Sequence, residues 1–162
     1  MEEQTEVKQP VMTWAEVRSM REHGVPIPLL SVPEARLRHV APDHLLRRHK
    51  EMPALLSAFV LKGFNSGLTT EDFEAFLSPR ETAEEALEQM ASLEIVCKQG
   101  FAYPQIVDEP QAEGEITFDQ VSPFDRGLAF RLMFLPREVL RNIKLDGVME
   151  AVASPVAEME PN

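Results

Sequence analysis

Few side chains in this sequence have the means to do chemistry: four histidines, one cysteine, a run of glutamates and one Asp-Arg pair. His23, His39, His44 and His49 include no two at the i, i+4 spacing that would put two imidazoles on one helix face. Cys97 stands alone, so a thiolate zinc site lacks its usual second sulfur. Its place on the apolar side of a helix suits a buried structural thiol rather than a nucleophile. The seven glycines are scattered, and none opens a strand–turn–helix phosphate loop. Glu81, Glu84, Glu85 and Glu88 are spaced as a solvated helix face rather than a carboxylate cluster. In Asp125-Arg126, Asp125 sits where a carboxylate favours the positive end of a helix. Arg126 is expected to reach back to an acid in the 109–119 loop. These residues lead to the expectation of a protein that is not an enzyme and has no metal or cofactor.

The elements that position these residues centre on 78–135. Ser78-Pro79-Arg80-Glu81 reads as a helix start, with Ser as N-cap, Pro at the first helical position and Glu closing a capping box. Ala83, Ala86, Leu87, Met90, Leu93 and Cys97 follow at spacings of three and four, an amphipathic helix of about five turns. Gly100 and Pro104 stop it. An extended piece, Tyr103 to Asp108, and an acidic loop, Glu109 to Gly114, come next. Ser122-Pro123-Phe124-Asp125 repeats the helix-start pattern. Each helix is the nearest partner for the other, so Leu87, Met90, Leu93, Cys97, Phe124, Leu128 and Phe130 are expected to be buried between them.

Upstream, Thr13-Trp14-Ala15-Glu16 opens a short helix with Trp14, Val17 and Met20 on one face, ending near Gly24. Pro26 and Pro28 force extended backbone, and Arg36 to Val40 alternates polar and apolar residues. A small β-hairpin near 27–40, held on an edge by its prolines, is expected. Pro42-Asp43 and Met52-Pro53 start further helices, the second ending by Gly63. Thr70-Glu71-Asp72-Phe73 caps a third. Arg137 to Lys144 adds a final turn or two. The predicted fold is mostly α: one small domain of short helices over 13–145, with disordered tails at 1–12 and 146–162.

The totals narrow the partners. A net charge of −11 and a pI near 4.8 repel nucleic acid and anionic membranes. Acids dominate from Glu71 to Asp119, whereas Arg36 to Lys62 is basic. Such a dipolar surface suits protein partners or self-association, and a solvated acidic face explains it equally well. A lone cysteine fits a reducing compartment. No apolar run approaches the roughly 20 residues of a membrane span, and the first residues lack a signal-peptide pattern. A soluble, intracellular protein is expected.

Three segments in order resemble the small tail assembly chaperones of long-tailed, siphovirus-like bacteriophages. They are Tyr103-Pro104-Gln105-Ile106-Val107 after a hydrophobic helix, Gly114-Glu115-Ile116-Thr117-Phe118-Asp119-Gln120-Val121, and Phe124-Asp125-Arg126 with Ala129-Phe130. Ile27-Pro28-Leu29, Leu37-Arg38-His39-Val40, Leu45-Leu46 and Met52-Pro53-Ala54-Leu55 follow the same family order more loosely. The turn at Ser31-Val32-Pro33-Glu34 lacks the family's glycine, and Arg131 stands where an aromatic is common. The resemblance implies a non-enzymatic protein of the host cell cytoplasm. It would bind and solubilise the tape-measure protein, help recruit tail-tube protein, and be absent from the mature virion. The candidate residues, structural or partner-binding, are Trp14, Leu87, Met90, Leu93, Phe124, Asp125, Arg126, Leu128 and Phe130. The alternative is a helical virion accessory or adaptor, a minor tail or connector component.

Overall fold

The computed structural model describes residues 12–48 and 51–143. It is mostly helical, with a small antiparallel strand pair as expected. The tails expected at 1–12 and 146–162 lie outside the described residues, except Met12, which packs against the core.

Helix α1 (Trp14–His23) is capped by Thr13, whose Oγ1 accepts from the Glu16 amide at 3.2 Å. Gly24 ends it at φ +68° and donates to the Met20 carbonyl at 2.9 Å. A Cβ there would lie 2.8 Å from the Leu37 carbonyl oxygen, so both φ and space require glycine. On the expected face Met20 is buried, Val17 half-buried and Trp14 86% exposed. Strand β1 (Val25–Pro26) pairs antiparallel with β2 (Arg36–Leu37), Val25 opposite Leu37. The hairpin thus begins slightly earlier than expected, and Pro26 does lie on an edge. Its tip folds inward, with Ile27 donating to Ala35 and Leu29 to Val32. Strand β3 (Phe101–Tyr103) adds to the other side of β2.

Helix α2 (Pro42–Arg48) precedes α3 (Ala54–Ser66). Helix α3 continues through Gly63 rather than ending there, and Gly67 terminates it at φ +82°. Gly63 remains helical against Leu68 and Pro42, where a Cβ would be tight. Thr69 and Asp72 form a reciprocal capping box at the start of α4 (Thr70–Leu77). The long helix α5 (Ala83–Gly100) starts four residues later than the expected Pro79, with Thr82 as its N-cap. Ser78 ends α4 instead. Proline at 79 makes Ser78 extended, a conformation that serves a helix exit as well as an entry. Residues 78–80 then close α4: Ser78 Oγ donates to the Ala75 carbonyl at 2.9 Å and Arg80 Nη2 to the Phe76 carbonyl at 2.7 Å.

Strand β4 (Gln105–Ile106) runs parallel to β5 (Glu115–Ile116), and a 3₁₀ turn (Phe118–Gln120) leads to α6 (Pro123–Met133). Ser122 caps α6 by accepting from the Asp125 amide at 3.2 Å, with Pro123 at the first position, as expected. Helix α7 (Arg137–Arg141) follows.

Helices α5 and α6 pack together as expected, but not through the whole face anticipated. Cys97 and Phe130 are fully buried, and Leu93 and Leu128 are partly buried against the core. Leu87, Met90 and Phe124 are instead 64%, 43% and 51% exposed. The buried side of α5 carries Ser92, Val96, Cys97 and Gly100. Ser92 is accommodated there because its hydroxyl donates to the Glu88 carbonyl at 2.8 Å. Gln89 also faces inward, donating to the Phe76 and Ser78 carbonyls. The expected face, built on Leu87 and Met90, leaves these polar residues out and so rotates the helix away from its true orientation. At Gly100 a Cβ would lie 1.8 Å from the Met133 sulfur, so glycine permits the close approach of α5 to α6.

Candidate functional site

Asp125 occupies a position that its place in a helix start only partly foretells. It is completely buried. Its carboxylate accepts the Leu30 amide at 3.3 Å, the Ser31 amide at 2.6 Å and the Ser31 hydroxyl. Ser31 Oγ in turn accepts the Ser122 amide at 3.0 Å. Asp125 therefore holds the 29–32 hairpin tip onto the start of α6, a more specific role than the helix-end charge interaction expected. Arg126 reaches back into the preceding loop, as its position suggests. Its Nη2 donates to the Phe118 carbonyl at 3.2 Å, and its guanidinium lies 4.1 Å from the Phe118 ring centroid. The Asp119 carboxylate stands at 4.0 Å and is 92% exposed, so the ion pair adds little beside the contacts with Phe118.

The other candidate contact residues separate into surface and core. Leu87 and Met90 are exposed three residues apart on α5, while Leu61 and Phe64 are exposed three residues apart on α3. Leu30 and Phe124 are exposed beside the Asp125 clamp. Glu88, read as part of a solvated face with Glu81, Glu84 and Glu85, is half-buried. Its carboxylate accepts the Leu55 amide at 2.9 Å, which caps the start of α3 where Pro53 offers no side-chain acceptor. Burial pushes the Cys97 thiol up to about 12, with Arg126 opposing more weakly, so Cys97 is a thiol near neutral pH. Among the described residues no three His, Cys, Asp or Glu side chains gather as a metal site requires, and no helix is long and apolar enough to cross a membrane.

One concavity was not legible in the sequence. A groove of about 770 Å³ opens between α1, the residues after β2, α2 and the start of α7. Arg18, Arg21, Arg38, Arg48 and Arg137 line it, against the two acids Glu22 and Asp43. Trp14 and Val17 supply an apolar part of the lining. His39 Nδ1 lies 2.6 Å from the Leu135 carbonyl, which can only accept, so Nδ1 carries the proton. Burial lowers the pKa of His39, and that hydrogen bond works against the shift. The basic stretch from Arg36 to Lys62 contains only two of the five arginines. Arg36 instead donates to the His23 and Gly24 carbonyls, and Lys62 pairs with Asp72. The others come from helices distant in sequence, and only the fold brings them together.

The described residues define a mostly helical fold with exposed apolar pairs and an arginine-lined groove. Compared with known proteins, the chain matches no family model, no curated protein and no solved structure.

Proposed function

We propose that this protein is a tail assembly chaperone of a long-tailed bacteriophage, acting in the host cytoplasm without catalysis. It binds and solubilises the tape-measure protein, helps recruit tail-tube protein, and leaves before the virion matures. Support comes from the ordered resemblance of the segments between Ile27 and Phe130. The structural observation that carries the reading is the pair of apolar stripes, Leu61 with Phe64 and Leu87 with Met90, exposed at helical spacing. Such stripes suit an amphipathic helix of a partner. The free tape-measure protein exposes apolar helix faces beyond what a soluble monomer tolerates. Many copies of a chain with net charge −11 would cover those faces and keep the coated particles apart.

Co-expression with the tape-measure protein encoded beside this chain's gene is expected to keep that protein in the soluble fraction. The complex should persist at moderate salt, because screening weakens charge steering but not apolar burial. Failure to bind at all would overturn the reading, and abundant peptides of this chain in purified virions would favour a structural tail component instead. Charge reversal at Glu84 and Glu85 should lower the solubility of the complex more than its affinity. Glu88 is unsuitable for that test because it caps α3.

Leu87→Ser with Met90→Ser separates binding from folding. Both side chains are substantially exposed, so stability should change by no more than about 1 kcal/mol. Recovery of soluble tape-measure protein should fall sharply. Denaturant midpoints and co-expression yields measure the two effects, and unchanged yield with normal stability would remove this stripe from the contact.

A further inference from the structure

We propose that the arginine-lined groove docks an acidic segment of a partner protein, its carboxylates on Arg18, Arg21, Arg38 and Arg137 and an apolar side chain against Trp14 and Val17. The inference goes beyond the apolar contact proposed above: neither Leu87 nor Met90 lines this groove.

With 27 acids against 16 lysines and arginines, a cation of this chain has an abundance of possible partners. Elsewhere Lys62, Lys98, Arg126 and Arg141 find a carboxylate, and Arg36 and Arg80 are held by backbone carbonyls. Among the described residues no ion pair joins any of the five groove arginines to a carboxylate; Arg48 donates only to the Gln99 side chain, at 3.4 Å. Glu22 and Asp43 offset part of the charge, and the remaining arginines repel one another across a shared space. Arg38 is the sharpest case. Its Nε is buried with no hydrogen-bond partner, as are those of Arg80 and Arg126. Their guanidinium groups reach backbone carbonyls through Nη2, whereas that of Arg38 reaches none among the described residues, and burial lowers its pKa. A carboxylate entering the groove supplies both a hydrogen-bond partner and a counter-charge.

The arginine fork fits carboxylates and phosphates alike. Trp14 decides between them. It is 86% exposed and shares the groove with Val17. Tryptophan and arginine together are the residue types that dominate binding at protein–protein contacts. A long polyanion would also meet the acidic remainder of the surface and be repelled. A peptide carrying a few carboxylates between apolar side chains meets positive charge where it needs it and an apolar surface beside it. The groove, about 770 Å³, has the size of a site for a few side chains rather than a folded domain.

Trp14 is the only tryptophan, so its emission reports occupancy of the groove directly. The full chain is titrated with a short synthetic peptide alternating Glu and Leu, and with the same peptide carrying Gln for Glu. The Glu peptide should give a saturable change in emission, and the Gln peptide should bind about tenfold or more weakly. Arg38→Gln and Arg137→Gln should weaken the Glu peptide to a similar degree, with circular dichroism confirming that each variant is folded. Arg47→Gln, exposed and outside the groove, should bind as the parent does. Equal affinity for the two peptides overturns the proposal. So does displacement of the Glu peptide by inorganic phosphate or a nucleotide at lower concentration than the peptide itself. Self-association in sedimentation velocity that Arg38→Gln and Arg137→Gln abolish would assign the groove to a second copy and overturn it also. These measurements use no tape-measure protein, so their failure leaves the chaperone reading to its own test.

Discussion

Phe130→Ala is expected to lower the unfolding free energy by about 3–5 kcal/mol, the range for deleting a buried aromatic ring. Phe130 is fully buried where three helices meet. It stacks on Phe76 of α4 at 4.5 Å and 7°, and it meets Phe59 of α3 at 5.0 Å and Phe134 at 5.0 Å. Phe73 approaches edge-on at 5.8 Å. Removing the ring takes away apolar burial, leaves a cavity walled by four other rings, and ends pair interactions worth about 0.5–1.5 kcal/mol each beyond area. Those rings come from α3, α4 and the residue that ends α6, so collapse of the cavity requires these elements to shift. Phe130→Leu keeps much of the volume and should cost about half as much or less. Phe64→Ala, on an exposed ring, should change stability by about 0.5 kcal/mol or less. Denaturant midpoints at unchanged slope would measure all three. A cost below about 1.5 kcal/mol for Phe130→Ala would show that this cluster does not hold α3, α4 and α6 together.

The contrast between Phe130 and Leu87 shows what the sequence makes legible. Local signals were readable: Thr13 and Ser122 cap the helices they open, the prolines keep β1 on an edge, and Gly24 ends α1. Spacing also located the helices and the pairing of α5 with α6. Rotation of α5 was not readable, because Ser92 and Gln89 look like surface residues until their hydrogen-bond acceptors are known. Ser78-Pro79 misleads for a related reason: the same extended backbone suits the end of one helix and the beginning of another. The site is harder still. Arg126 has its contact eight residues away, at Phe118, and could be inferred from order along the chain. The groove draws Arg18, Arg38 and Arg137 from three separate regions, a juxtaposition without any local pattern.

Asp125→Ala should cost about 3–5 kcal/mol, through the hydrogen-bond donors it abandons rather than through a lost helix-end charge. Three donors of one loop converge on this carboxylate, from Leu30 and from the Ser31 amide and hydroxyl. A fully buried donor left without an acceptor costs about 1–3 kcal/mol, and these part-buried donors cost less wherever water can reach them. A simple effect on the helix end would be worth only about 0.3–1 kcal/mol, so the magnitude distinguishes the two roles. Asp125→Asn keeps one acceptor oxygen but turns an amide donor toward the Ser31 donors, and it should fall between parent and Asp125→Ala. Ser31→Ala removes one donor and also the acceptor of the Ser122 amide. If Asp125 and Ser31 act as one clamp, the double variant should be less damaging than the sum of the singles by about 1 kcal/mol or more. Hydrogen exchange provides a local check, because loss of the clamp should release the Leu30 and Ser31 amides before the helices open. Additive single variants, or exchange at these two amides unchanged by Asp125→Ala, would show that the hairpin tip is held by its apolar neighbours Leu29 and Val32 instead.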